Sequence, residues 1–297
     1  MKTINFGSLN NDFVYTLEKI VSPGETLAST NYARFPGGKG LNQSIALARA
    51  GGVVLHAGYY GDGGEPLRAY LEAEGVGVEY LEKCTEQQGH ALIQVDKNGQ
   101  NSIIVYGGSN HALDDAYVDR VLDAIGTDVA ILLQNEGNKT AYIIEQASKR
   151  GLPVFFNPSP INEEIEKVNL HAVTWLLINE IEGETLSGQK SRQEILRVLH
   201  ETYPNMNIVL TLGSRGVICF ANGNLYQHDS YKVKAVDTTA AGDTFTGYFI
   251  AGIIAGEPME TILENASKAS AICVSGEGAS PSIPTMEAVR AFGNHVE

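Results

Sequence analysis

Short apolar runs alternate with stretches of helical periodicity through the second half of the chain, and that rhythm admits few folds. Val129–Gln134, Val154–Asn157, Val173–Ile178 and Ile208–Leu212 are rich in Val, Ile, Leu and Phe and lack an alternating polar face, as strands buried on both sides do. Between them, Leu113, Tyr117, Val118, Val121, Leu122 and Ile125 recur at spacings of three and four, and Ile195, Leu196, Val198 and Leu199 do the same. Strand, helix, strand, helix predicts an α/β fold whose sheet is mainly parallel and carries helices on its faces. Two segments break the rhythm. Residues from about Phe13 to Phe35 and from about His90 to Tyr106 alternate with period two, and Asp96-Lys97-Asn98-Gly99 is a good hairpin turn. They predict a small antiparallel sheet projecting from the core as a flap. With no internal repeat, low-complexity tract or Ser/Pro linker, residues 1–297 are expected to form one domain with that insertion.

Charge narrows the partners. The net charge is -14, from 21 basic and 35 acidic residues, so the mean field repels nucleic acid. A phosphorylated ligand would be repelled too, unless helix N-termini, one or two basic side chains or a metal receive it locally. The three cysteines, Cys84, Cys219 and Cys273, form no CxxC pair and have no His at ligand spacing, which excludes a disulfide framework and a zinc ribbon. Each is expected to be a small buried hydrophobe in a reducing compartment. Met1–Asp12 lacks the apolar run of a signal peptide and no window is long and apolar enough for a membrane span, so a cytoplasmic location is expected.

Several familiar motifs fail. Gly38-Lys39 suggests a P-loop, but Ala33 stands where that loop needs its first glycine and Gly40 where it needs Ser or Thr. No GxGxxG follows a strand, and neither HExxH nor GxSxG occurs. What survives is Val236-Asp237-Thr238-Thr239-Ala240-Ala241-Gly242-Asp243, leading into a small and apolar helical stretch from Thr244 to Ala255. Ala240, Ala241 and Gly242 put no bulk at the helix start, so the first backbone N–H groups and the positive end of the dipole are open to an anion. Asp243 there either accepts a proton from a substrate hydroxyl during phosphoryl transfer or simply complements the dipole. A second glycine turn, Phe35-Pro36-Gly37-Gly38-Lys39-Gly40-Leu41-Asn42-Gln43, leads into a helix expected over Asn42–Ala50. Asn42 offers a donor and an acceptor to a sugar diol, and Lys39 a local positive charge; the alternative is a structural turn between flap and core. Asn10 and Asp12 are a third polar pair suited to gripping hydroxyls.

Taken together and in this order, these segments resemble the ribokinase branch of the PfkB carbohydrate kinase family. Gly7-Ser8-Leu9-Asn10-Asn11-Asp12 is similar to the family's opening, Gly37–Gln43 to its first signature, and Asp237–Asp243 with Thr244 and Phe245 to its second. Thr211-Leu212-Gly213-Ser214-Arg215-Gly216 resembles its nucleotide loop, while Asn157-Pro158-Ser159-Pro160 and Asn179-Glu180-Ile181-Glu182 fall at its intermediate landmarks.

The resemblance implies a three-layer α/β/α core with a β lid, and transfer of the ATP γ-phosphoryl group to the 5-hydroxyl of a pentose, D-ribose first. It implies that Asp243 is the catalytic base and that Ala240, Ala241 and Gly242 form the anion hole. Asn10, Asp12, Gly38, Lys39, Asn42 and Glu136, with Asp243, would hold the sugar. Asn179, Thr211, Gly213, Ser214, Arg215, Gly216, Gly242 and Ser267 would hold ATP, and Glu182 would help to organise Mg²⁺ through water. A monovalent cation, K⁺, would sit among Asp237, Thr239, Cys273, Gly276, Gly278 and Ser282. Here Ser275-Gly276-Glu277-Gly278 stands where relatives commonly have Thr, Arg, a variable residue and Gly, so a glycine replaces the usual arginine. Ser267 stands where an adenine-side Asn or His is frequent. The lid would close over the sugar and pair with a second subunit. Kinases for deoxyribose, another pentose or a nucleoside such as adenosine are the alternatives, with a non-catalytic sugar sensor on the same fold further off.

Overall fold

The structure is a computed structural model, and it describes residues 1–293. In chain order the strands are β1 (Lys2–Phe6), β2 (Asn10–Leu17), β3 (Asn31–Gly37), β4 (Val54–Asp62), β5 (Gly77–Gln87), β6 (His90–Asp96), β7 (Asn101–Tyr106), β8 (Val129–Gln134), β9 (Val154–Asn157), β10 (Trp175–Asn179), β11 (Asn207–Thr211), β12 (Val217–Ala221) and β13 (Asn224–His228). The α-helices are α1 (Lys39–Arg49), α2 (Glu65–Ala73), α3 (Asp115–Ala124), α4 (Thr140–Lys149), α5 (Glu180–Ser187), α6 (Arg192–Thr202), α7 (Ala241–Ala255), α8 (Met259–Val274) and α9 (Met286–Ala291). Nine strands form the main sheet in the order β13-β12-β11-β10-β9-β8-β1-β4-β5. Strands β11 through to β5 run parallel; β12 and β13 turn back antiparallel at one edge.

The central strands explain the layers. Every residue of β8 is buried, and its side chains alternate between two cores. Ala130 and Leu132 face a core that includes Leu41 and Ile45 of α1, Phe249 of α7 and Ile262 of α8. Ile131 and Leu133 face the other, with Val118 of α3, Ile144 of α4 and Leu199 of α6. Helices on both faces of the sheet make a three-layer α/β/α core, as expected from the alternation. Each fully buried Leu, Ile or Phe there contributes about 1.5–3 kcal/mol relative to exposure. Helix α7 is apolar on all sides because it is enclosed: residues Asp243–Gly252 are all buried between α1 and α8.

Several expectations shift. The helix expected from Asn42 begins at Lys39, with Gly38 at its N-cap at φ 93°, a left-handed conformation that favours glycine. Gly40 therefore lies in the first helical turn, where a Cβ would come 2.2 Å from the Ser8 nitrogen; α1 rests directly on the chain leaving β1. The lid is a four-stranded sheet, β3-β2-β6-β7. Its outer pairs are antiparallel, but its central pair, β2 with β6, is parallel. The reason lies in the core: β2 continues from β1 and β6 from β5, and those strands run in the same direction in the main sheet. Cys219 and Cys273 are buried, whereas Cys84, on the edge strand β5, is only half-buried. Among the described residues no helix is long and apolar enough to cross a membrane.

Candidate active site

The parallel strands end on one side of the sheet, and the loops that leave them build the site, as expected at the carboxyl edge of such sheets. Asn10 follows β1, Glu136 follows β8, Asn157 closes β9, Asn179 closes β10 and Thr211 closes β11. Together with Asp12, Gly38, Lys39 and Asn42 from one side and Thr238–Asp243 from the other, they line a cavity of about 610 Å³. The lid covers it with Ala91, Ile93, Ile103 and Val105. A second cavity of about 340 Å³ is lined by Ser214, Gly216, Val217, Tyr231, Ser267 and Ala271, and shares Thr211, Gly213, Ala241 and Gly242 with the first. The two meet at the N-terminus of α7.

The backbone is strained at that N-terminus. Ala240 caps the helix at φ 61°, a left-handed conformation that costs a non-glycine residue about 1–2 kcal/mol. The first turn of any α-helix leaves backbone N–H groups outside the helical ladder, and here those groups border the junction of the cavities. Asp243, in that turn, is buried; its Oδ2 accepts from Asn42 Nδ2 at 3.0 Å and its Oδ1 from Gln43 Nε2 at 2.9 Å. Asn42 Oδ1 is buried without a partner, an acceptor left for a ligand hydroxyl.

The electrostatics are crowded. Lys39 is the local cation: Asp243, then Glu136 and Glu182, hold its ammonium charged against the opposing effect of burial. Glu136 Oε2 accepts from the Lys39 backbone nitrogen at 2.8 Å and from Ser8 Oγ, yet burial outweighs these partners and raises its pKa. Asp12 is pushed up to about 7, first by burial and second by the charge of Glu136. Its carboxylate lies over Gly37, where a Cβ would fall 2.0 Å from Oδ2. Asn10 is oriented by Asn110 Nδ2, which donates to its Oδ1 at 2.8 Å.

Across the larger cavity, Asn179 caps α5 reciprocally: its Oδ1 accepts from the Glu182 nitrogen and Glu182 Oε2 accepts from the Asn179 nitrogen, each at 2.9 Å. Glu182 lines the larger cavity with one oxygen engaged in that cap. Arg215 departs from expectation: it lines neither cavity, and its guanidinium instead pairs with Glu180 at the surface. Asp237, Thr239, Cys273, Gly276, Gly278 and Ser282, expected around a monovalent cation, lie near one another behind the N-terminus of α7. Asp237 Oδ1 accepts from the Thr239 nitrogen at 2.9 Å, Asp237 Oδ2 accepts from the Gly278 nitrogen at 3.1 Å, and Cys273 Sγ lies 3.1 Å from Ser282 Oγ. Gly276 fits closely there, since a Cβ would stand 3.0 Å from that of Ser282. Sequence reasoning assigned no role to Gln43, Gln134, Asn5 or Asn110. The one available signal was a polar residue inside an apolar strand, as in Thr3-Ile4-Asn5-Phe6 and Val129–Gln134.

A family model described as pfkB family carbohydrate kinase matches residues 2–286. The chain belongs to that family. Within it, the similarity is to the ribokinase branch. A ribokinase of Staphylococcus aureus is 34% identical over 97% of this chain and 98% of its own. A deoxyribokinase of Salmonella typhi is 30% identical over 95% of each. The solved structure of Arabidopsis thaliana ribokinase complexed with ribose and ATP superposes with a TM-score of 0.85 at 28% identity, covering 98% of this chain and 99% of that one. This pfkB kinase is therefore an ATP-dependent sugar kinase with the ribokinase-like fold.

Proposed function

We propose that this kinase transfers the γ-phosphoryl group of ATP to the 5-hydroxyl of D-ribose, giving D-ribose 5-phosphate and ADP. The observation that carries the reading is the position of Asp243. It stands where a cleft of hydroxyl-binding side chains meets a nucleotide-sized cavity at a helix N-terminus. Asn10, Asp12, Lys39, Asn42 and Glu136 hold the sugar hydroxyls, and Thr211, Gly213, Ser214, Gly216 and Ser267 hold the nucleotide. The acceptor oxygen forms its bond to the γ-phosphorus as the bond to the β,γ-bridging oxygen breaks. ADP leaves with that electron pair, and the hydroxyl proton passes to Asp243. The open amide of Gly242 receives the charge on the transferring group, joined by that of Ala241 once its long 3.4 Å contact with the Thr238 carbonyl gives way.

The residues present fit a hydrated Mg²⁺ carried by ATP. Glu182 lines the larger cavity with one carboxylate oxygen engaged in its helix cap, which suits contact through water with an ion that keeps most of its own waters. Mg²⁺ supplies neutralisation of charge on the β- and γ-phosphates. The carboxylate, hydroxyl and carbonyl oxygens around Asp237, Thr239 and Ser282 likewise suit K⁺, with Gly276 and Gly278 offering backbone carbonyls. A homodimer through the lid, a single domain over residues 1–297 and a cytoplasmic setting belong to the same proposal.

The deoxyribokinase relative makes 2-deoxyribose the competing acceptor. The density of polar partners favours ribose, because each missing hydroxyl leaves a buried group unpaired at about 1–3 kcal/mol. Among the described residues Phe245 is the one aromatic lining the larger cavity, which offers a nucleobase little to stack on beyond the apolar lid side chains. The test is a coupled ADP-release assay with Mg-ATP across D-ribose, 2-deoxyribose, other pentoses, hexoses and adenosine, each with and without K⁺. Ribose-dependent release, raised by K⁺, is expected. A higher kcat/KM with another acceptor moves the substrate, and ribose binding without any release replaces the kinase with a sensor. Asp243→Asn should lower kcat by about 100- to 10,000-fold with sugar affinity held within a few-fold.

A further inference from the structure

Asp243 is gripped from behind by a chain of buried polar side chains. Gln43, fully buried and outside the cavity lining, donates through Nε2 both to Asp243 Oδ1 at 2.9 Å and to Asn157 Oδ1 at 3.0 Å. Asn157 Nδ2 donates onward to the Leu177 carbonyl at 2.8 Å. Gln43 Oε1 accepts from Gln134 Nε2 at 2.7 Å, and that nitrogen also donates to Asn5 Oδ1 at 3.1 Å. Asn5 Nδ2 donates to the Gly40 carbonyl and to Ser44 Oγ, each at 2.8 Å. Ser44 Oγ lies 2.9 Å from His56 Nδ1, and His56 Nε2 lies 3.0 Å from the Gly7 carbonyl.

The ends of this chain fix every hydrogen in it. A carboxylate and a backbone carbonyl can only accept. Asp243 therefore demands the NH₂ of Gln43, which turns Gln43 Oε1 toward Gln134. The carbonyls of Gly40 and Gly7 set Asn5 and the His56 tautomer, so Ser44 donates to His56 Nδ1. Burial pushes the His56 pKa down to about 4, so the far end stays neutral at working pH. Flipping the Gln43 amide would set its oxygen against the Asp243 carboxylate and its NH₂ against that of Gln134. One orientation of the Gln43 amide survives, and Gln43 and Asn42 together hold the carboxylate by its two oxygens.

Stability alone does not call for this arrangement, because apolar groups of the same shape are nearly neutral replacements for a buried hydrogen-bonded set. Orientation does: a displacement of 1 Å at a reacting group can cost about 100-fold in rate. We propose that Gln43, itself held by Gln134 and Asn5, is a positioning residue that aims the Asp243 carboxylate at the acceptor hydroxyl. This rests on the reading of Asp243 as the base. The charged groups facing Asp243 from neighbouring elements are Lys39 on α1, Glu136 after β8 and Glu182 on α5, with Asp12 on β2 beside Glu136.

The experiment compares kcat, sugar KM and Tm across pH for the wild type, Gln43→Met, Gln43→Glu, Gln134→Met and Asp243→Asn. Gln43→Met should lower kcat by about 10- to 100-fold and hold sugar KM within about threefold. Gln43→Glu should keep more of the wild-type kcat at low pH, where its protonated acid still donates to Asp243, than at high pH, where its carboxylate offers no donor. A kcat loss at constant KM that is relieved by restoring the donor does not follow from a loss of folding. Gln134→Met should repeat the Gln43→Met loss at smaller amplitude, and with Gln43→Glu it carries the test if Gln43→Met does not fold. Wild-type kcat in the position-43 and position-134 variants, or kcat losses that only follow Tm, overturn the inference. Turnover retained in Asp243→Asn overturns the base assignment instead, and the two failures are thereby distinct.

Discussion

Asp12, proposed above to hold a sugar hydroxyl, meets two opposed demands. Its carboxylate would serve that role as a hydrogen-bond acceptor, yet it sits out of water and beside Glu136, so its pKa rises from 3.8 to about 7. The unfolded chain releases that proton near the lower value and the folded chain near the higher one. Between them, unfolding releases a proton, so this group's contribution to stability falls as pH rises and levels off above about 7. Asn does not titrate. The Tm of Asp12→Asn minus that of the wild type, without sugar, should therefore increase from pH 4 to pH 7 and then stay flat, which thermal unfolding across that range would measure. A difference independent of pH would mean that Asp12 ionises as freely in the fold as in water. With sugar present the order reverses: the substitution removes a charged acceptor and should raise sugar KM on the order of tenfold at pH 8.

At the scale of elements, the site is a contact between α1 and α7. Asn42 and Gln43 on α1 hold Asp243 on α7, and the two helices approach closely because Gly247 has no side chain: a Cβ there would stand 2.5 Å from Ala46 Cβ and 2.6 Å from the Leu47 nitrogen. Gly247→Ala should push the helices apart, destabilise by about 1–3 kcal/mol and lower kcat more than it raises sugar KM. A destabilised variant with unchanged kcat would show that Asp243 is indifferent to the helix spacing. The same contact explains what could be read in advance. Both helix starts announced themselves through glycine and small-residue turns, whose backbone geometry is a local property of the sequence. Strands β8 and β9 were equally legible, as unbroken apolar runs ending where they were expected to end. The network behind Asp243 was not, because Gln43 and Gln134 are 91 residues apart and nothing local to either names its partner. Strands β4 and β5 were hidden as well: β4 carries Gly58, Gly61 and the buried His56, and β5 is an exposed edge with polar residues throughout its second half. Arg215 misled for a simpler reason, since a loop motif fixes its backbone but leaves a long surface side chain free to pair with Glu180.

At the scale of the whole molecule, the lid carries an apolar outer face that the single chain leaves uncovered. The strand registers place Phe13, Tyr15, Tyr32, Arg34, Leu92, Ile104 and Tyr106 on one side and Asp12, Ala91, Ile93, Ile103 and Val105 on the other. The second side faces the cavity; on the first Ile104 is 62% exposed and Tyr32 51%, and Val105 and Ile103 at the rim of the second are exposed to a similar degree. Exposed aliphatic and aromatic residues over such a sheet are what an association surface offers, and the proposed occupant is the lid of a second copy. Arg34 is the one permanently charged residue among those named on that face, so the contact would gain little from ion pairs. Two chains of net charge -14 repel at long range, and salt screens that repulsion while strengthening apolar burial. Sedimentation should therefore show a dimer that tightens as ionic strength rises, the opposite of an interface built on salt bridges. Ile104→Lys should yield a monomer and raise sugar KM, because the cavity-facing row of the same sheet would lose the support that holds it closed. A monomeric wild type, or a dimer that dissociates with added salt, would leave the lid to work alone.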